Sequence, residues 1–259
     1  MPLPEPDLAL NPPLPWLEPE DAFPPPTLAW GADSPAPGLL AAGGLLDVEH
    51  LSAAYQQGIF PWFSSGQPIL WWSPDPRMVL HVAQFKLHRS LRRTLQRFRS
   101  QPDCTVSIDR DFSAVIHACA LTSRAGQSGT WILPAMVRAY EELHAAGHAH
   151  SVETWVDGRL VGGLYCIAFG QAVFGESMFA HATDASKIAL AAFVALCRAQ
   201  GAALVDCQQN TRHLASLGAR EIDRSAFLEH VAVARHAPPM TWAFDPIYWS
   251  EILPDGPVA

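Results

Sequence analysis

Between His148 and Phe179 the chain alternates apolar and polar residues with a period of two, in "HSVETWV", "RLVGGLYCIAF" and "AVFGESMF". Asp157-Gly158 separates the first run from the second, and Gly170-Gln171 separates the second from the third. Two-residue turns of this kind join neighbouring antiparallel strands, so a three-stranded meander is expected. The helical run "DASKIALAAFVALCRAQ" follows, with Asp184 or Ser186 near its start and Gly201 at its end, and then the apolar strand "ALVDCQ". Strands joined directly and strands joined through helices predict an α+β chain with a mixed sheet.

Around this centre the periodicity predicts further helices. One is short, capped by Asp47, with Leu51, Ala54 and Tyr55 as its apolar stripe and Gly58 as its stop. A second, from Phe85 to Ser100, places Leu87, Leu91, Leu95 and Phe98 at helical spacing. Others are expected at Phe112 to Leu121, at Pro134 to Ala146 with Gly147 behind it, at about Thr211 to Leu217, and after Asp223. Residues 1–37 hold 12 of the 23 prolines, which excludes helix and central strand. That stretch is expected to be an extended arm lying against the body, since Trp16, Phe23 and Trp30 need a surface to pack on.

At 259 residues the chain can bury a large core. Its longest apolar run, "IALAAFVALC", is about half of the roughly 20 residues a membrane span needs, so it is expected to be a core helix. The start "MPLPEPDLAL" lacks a basic region followed by an apolar one, so a cytoplasmic location is expected. The five cysteines contain no C-x-x-C pair and are odd in number, which argues against a disulfide framework or a zinc site. No phosphate-cradling or dinucleotide-binding glycine motif occurs, and the eleven histidines lack metal-ligand spacing, so neither a cofactor nor a metal is expected. A monomer is favoured.

Four features carry candidate chemistry. In "ALVDCQQN" an apolar strand ends in polar residues. Strand alternation would put Asp206 and Gln208 on one face and Cys207 on the other, which leaves a thiol acyl-enzyme without support. Trp62, Trp71 and Trp72 lie close together and Trp131 recurs later; such residues stack on bases as readily as they fill cores. Lys86, Arg89, Arg92, Arg93, Arg97 and Arg99 place six positive charges and no acidic residue on the second helix, in a chain of net charge −8, and Arg89, Arg92 or Arg93, and Arg97 form one stripe. A phosphate backbone and bulk solvent are both suitable neighbours for it. Glu176 sits in the strand-like "FGESMF", where a carboxylate is out of place and is expected to pair with a cation, either a protein residue or a ligand amine.

The blocks "GIFPWF", "ILWWSPDPR", "GTWI", "GHAHSVE", "VGGLY", "FGESMF", "ASKIAL", "DCQ" and "HLASLGAREI" stand in the order found in leucyl/phenylalanyl-tRNA–protein transferases, and the chain resembles that family from about residue 38 to 230. The resemblance implies a cytoplasmic bacterial aminoacyltransferase that moves Leu or Phe, with Met as a further donor, from aminoacyl-tRNA to an N-terminal Arg or Lys. That transfer marks the acceptor for N-end rule degradation. The resemblance also implies a small N-terminal domain with an aromatic-rich loop at 38–77 behind the arm at 1–37, and a GNAT-like catalytic domain at 78–259. Carried over by motif, Asp206 and Gln208 assist the reaction, with Asn210 beside them. Trp62 and Trp131 hold the terminal adenosine, Glu176 lies near the reacting amine, and Arg89, Arg92 and Arg93 bind tRNA. Leu164, Phe193 and Val173 belong to the pocket for the transferred side chain. Two readings compete. A coenzyme A-dependent acyltransferase would need glycines where "HATDASKIAL" has none, and a tRNA-binding protein without catalysis would need only the tryptophans and the basic helix.

Overall fold

The computed structural model describes residues 13–122 and 132–253. The N-terminal part contains β1 (Trp16–Leu17), β2 (Leu39–Gly43), α1 (Val48–Tyr55), β3 (Phe60–Pro61) and β4 (Leu70–Trp72), and these strands form a sheet in the order β1-β2-β4-β3. The Pro-rich stretch joins this sheet: Trp16 pairs with Ala42 and Leu17 with Gly43, and Leu17, Phe23 and Ala29 are buried. Among its described residues the one helical segment is a 3-10 turn at Pro26–Leu28, started by proline where no N–H is required. Asp47 caps α1 as expected, with Oδ1 accepting from the His50 N–H at 2.8 Å.

The larger part begins with β5 (Arg77–His81), α2 (Arg89–Arg99), β6 (Cys104–Ile108), α3 (Phe112–Leu121) and α4 (Pro134–Ala145). It continues with β7 (Ala149–Val156), β8 (Arg159–Phe169), β9 (Ala172–Ala180) and α5 (Ala185–Ala199). It ends with β10 (Leu204–Gln208), α6 (Arg212–Ser216), β11 (Arg220–Ile222) and α7 (Arg224–Ala234). Its strands form a seven-stranded sheet in the order β11-β5-β10-β9-β8-β7-β6. The meander is present as β7, β8 and β9, antiparallel throughout. Only β9 and β10 run parallel, with α5 as the crossover between them.

Apolar residues fill both faces of this sheet. On one side α1, α3, α4, α7 and the N-terminal sheet cover it; on the other α2, α5 and the 3-10 turn at Pro246–Glu251 do. α5 is buried almost all round, which explains its nearly continuous apolar sequence. Among the described residues no helix is long and apolar enough to cross a membrane.

Two elements depart from expectation. α2 starts at Arg89 rather than Phe85, because Lys86 donates its N–H to the Leu217 carbonyl at 2.8 Å and so holds residues 85–88 out of the helix. β5 was not legible, since "RMVL" is too short for its period to separate strand from helix.

α5 approaches β8 closely at Gly162, where a Cβ would lie 2.5 Å from the Ala185 Cβ and 2.8 Å from the Ala185 carbonyl carbon. Gly162→Ala should therefore lower stability by about 1–3 kcal/mol through overpacking, read as a lower denaturant midpoint at unchanged slope. An unchanged midpoint would mean that α5 shifts freely on the sheet.

Candidate active site

β9 and β10 pair at two positions, Val205↔Val173 and Asp206↔Phe174. Beyond that point β9 continues to Ala180 alongside β8, while β10 turns away. The gap opens a cavity of about 470 Å³, walled by Leu80, Leu164, Met178, Leu190, Phe193 and Val205 and edged by Trp62, Glu176, Cys207 and Gln208. An apolar chamber with a few polar groups at its edge is the usual form of a small-ligand site.

The end of β10 is irregular. A bulge lies between Asp206 and Gln208, and Gln208 has φ 60, in the left-handed region. Simple alternation therefore fails: Cys207 and Gln208 both reach the cavity, whereas Asp206 points to the opposite side of the sheet. There Asp206 is fully buried and takes a bidentate pair from Arg77, Nε to Oδ1 at 2.8 Å and Nη2 to Oδ2 at 2.6 Å. The guanidinium lies between the rings of Phe60 and Phe227, 4.8 and 4.5 Å from their centroids. Asp206 meets Gln208 through the backbone, its Oδ1 accepting the Gln208 N–H at 2.9 Å. This bond holds the bend that turns Gln208 toward the cavity. Burial pushes the Cys207 thiol well above its usual range, so it stays protonated and weakly nucleophilic.

Glu176 finds its partners among neutral groups rather than in a cation. Its Oε1 accepts from Gln208 Nε2 at 2.6 Å and from the Tyr55 hydroxyl at 2.8 Å, and the Tyr55 and Tyr140 hydroxyls lie 2.6 Å apart. Burial pushes the Glu176 carboxyl up to about 8, against the lowering effect of the Tyr55 hydrogen bond. Burial likewise holds both tyrosines well above their usual range, with the nearby Glu176 charge adding to it. The native chain thus keeps a proton that the unfolded chain loses near 4.5, so stability falls as pH rises from about 4.5 to 8. Glu176→Gln keeps the acceptor oxygen and removes that titration. At pH 8.5 its melting temperature should exceed that of the wild type by about 5 °C, with the two converging at pH 5. Parallel melting curves at both pH values would overturn the assignment.

The remaining expected residues divide. Trp62, Leu164 and Phe193 line the cavity, and Trp62 meets Trp72 edge to face at 5.5 Å. Trp71 is core, fully buried, with its ring N–H donating to the Gly43 carbonyl at 2.9 Å. Val173 does not line the cavity; it packs beneath the parallel pair against the α5 side of the core, because its register places it where β9 and β10 are still joined. Asn210 is also outside the lining, and its Nδ2 donates to Glu221 Oε1 at 3.0 Å while Thr211 caps α6. Trp131 lies outside the described residues. Arg89, Arg92 and Arg93 lie on α2, whose buried stripe of Leu91, Leu95 and Phe98 packs on the same side of the sheet as α5. Sequence reasoning missed Arg77, Tyr55 and Tyr140. An arginine inside the apolar run "RMVL" was the available signal for the first, whereas the tyrosines read as ordinary core.

The model of the leucyl/phenylalanyl-tRNA protein transferase matches residues 79–232, and that of its N-terminal domain matches residues 44–75. A leucyl/phenylalanyl-tRNA–protein transferase from Polaromonas sp. is 64% identical over 243 residues, covering 93% of this chain and 94% of the relative. Proteins of the same name from Albidiferax ferrireducens and Methylibium petroleiphilum are each 59% identical, covering 93% of this chain and 95% and 92% of their own lengths. The residues that line the cavity between β9 and β10 fall within the two matched ranges, and the chain belongs to the leucyl/phenylalanyl-tRNA protein transferase family.

Proposed function

We propose that this chain transfers Leu or Phe from aminoacyl-tRNA to the N-terminal Arg or Lys of acceptor proteins in the cytoplasm, marking them for N-end rule degradation. The observation that carries this reading is the Glu176–Gln208 pair at the edge of an apolar cavity. An aminoacyl ester is already activated, so the chain has only to hold an amine against its carbonyl and accept a proton. Leu164 and Phe193 receive the donor side chain and Trp62 stacks on the terminal adenosine.

The Gln208 amide is too weakly basic to take a proton, but it orients the amine. The amine nitrogen attacks the ester carbonyl, forming the peptide N–C bond. Glu176, raised to about 8, accepts the amine proton and returns it to the departing ribose oxygen as the ester C–O bond breaks. An α-amine titrates at roughly 7.7–8.0, so a usable fraction is already neutral and able to attack at neutral pH. Asp206 acts as a positioning residue through the Gln208 backbone, whose N–H its Oδ1 accepts.

Arg89, Arg92 and Arg93 carry the tRNA body. Among the described residues none of them lies within 4.0 Å of a carboxylate, and α2 flanks α5, on the cavity side of the sheet. We read residues 78–259 as a GNAT-like catalytic domain, supported by the meander, crossover helix and diverging parallel strand, and 38–77 as the smaller N-terminal domain. The test mixes the protein with tRNA charged with labelled Leu or Phe and a peptide beginning with Arg. Label on the peptide is expected; charged tRNA bound without transfer would overturn the reading.

A further inference from the structure

An acceptor that begins with Arg or Lys brings two charges to the site, and only the α-amine has been given a partner. The side-chain cation needs an anion. Among the described residues lining the cavity the one carboxylate is Glu176, which is engaged by Tyr55 and Gln208 and is assigned above to the α-amine.

The sheet register supplies another. Met78 of β5 is the Cα partner of Gln208 on one side and of Glu221 on the other. Gln208, Met78 and Glu221 therefore form one row across three strands, with Cα atoms of the outer two about 10 Å apart. Met78 and Glu221 are directly opposed on antiparallel strands and share the α5 face, whose residues Leu80, Leu164, Leu190, Phe193 and Val205 wall the cavity on that side. Glu221 is exposed at this face, as befits a site that must admit the end of a protein chain. Asn210, two residues beyond Gln208, fixes it through the 3.0 Å bond from its Nδ2 to Oε1.

No competing cation holds this carboxylate. Among the described residues no Lys, Arg or His lies within 4.0 Å of it. Its neighbour Arg220 turns to the other face, where Nη2 meets His81 Nε2 at 3.2 Å. His213, which edges the cavity, is held below its usual range by burial and then by Lys187, so it adds no repelling charge at neutral pH. Lys187 is itself tied to Asp184 at 2.7 Å.

We propose that Glu221, positioned by Asn210, binds the cationic side chain of the acceptor's first residue and so sets the preference for Arg and Lys. A four-carbon lysine stem or the arginine fork spans the distance from an α-amine at Gln208 to this carboxylate. The assignment rests on the transfer activity proposed above, and it names the acceptor determinant for that activity.

The test compares wild type, Glu221→Gln and Glu221→Lys at saturating Phe-tRNA, with peptides beginning with Arg or with its neutral analogue citrulline. Glu221→Gln can still accept the Asn210 hydrogen bond, so the fold is preserved. It should raise KM for the Arg peptide about tenfold, the effect of losing a charge-assisted hydrogen bond, while kcat, the KM for Phe-tRNA and citrulline transfer stay unchanged. Glu221→Lys should abolish the advantage of Arg over citrulline. An unchanged Arg-to-citrulline ratio in Glu221→Gln, or an equal loss for both peptides, would overturn the assignment while leaving the transfer reading intact. Absence of transfer by the wild-type chain would instead overturn the activity itself, and the acceptor site with it.

Discussion

Arg77→Met should lower the unfolding free energy by about 3–5 kcal/mol, because it leaves the Asp206 carboxylate buried without its cation. Both side chains of this pair are inaccessible to solvent, so the penalty is that of an orphaned charge rather than of a lost surface contact. The double variant Arg77→Met/Asp206→Leu should recover most of that stability, since apolar groups of similar volume can replace a buried ion pair at little cost. Its transfer rate should nevertheless stay low. The Gln208 N–H would have no acceptor at Oδ1, and the left-handed bend that aims Gln208 would be released. Denaturant titration and single-turnover transfer on the same variants separate the two roles. A single Arg77→Met variant costing less than about 1 kcal/mol would show that the pair is not structural.

Gln208→Asn should lower kcat about 100-fold with little change in the KM for aminoacyl-tRNA, the loss expected when a reacting group is misplaced by about 1 Å. Asparagine tolerates the left-handed backbone at φ 60, so the fold and the bend survive. Its side chain is one methylene shorter and cannot span the 2.6 Å contact to Glu176 Oε1. Gln208→Glu should lower turnover as well, because it replaces the N–H donor with a second acidic group against Glu176. A Gln208→Asn variant with wild-type turnover would remove Gln208 from the mechanism and leave Glu176 to act alone.

Much of the scaffold was legible in the residues. The meander follows from period-two runs joined by Asp157-Gly158 and Gly170-Gln171, and α3 lies where its apolar spacing put it. Asp47 was identified as a cap from its place ahead of an apolar stripe, and it is one. What failed was reasoning that extended a local rule past its end. Alternation along β10 placed Asp206 beside Gln208, but the bulge opposite Met78 inserts one residue and separates them. Val173 was assigned to the pocket wall, yet its wall residue status depends on where β9 and β10 part, one residue further along. For Glu176 the protein supplies no cation among the described residues; an amide and a hydroxyl from Gln208 and Tyr55 hold it instead.

The sequence by itself determined the fold class, the order of most elements, and the residue types that meet at the site, because turns, caps and periodicities are local and each is written within a few residues. Tertiary structure alone decided what those residues do. Arg77 and Asp206 are 129 positions apart, Tyr55 and Glu176 are 121 apart, and Glu221 reaches the row of Gln208 only through β5 between them. Burial and strand register are properties of the assembled sheet, and they are what raise Glu176, pin Asp206 and place Glu221 across from Gln208.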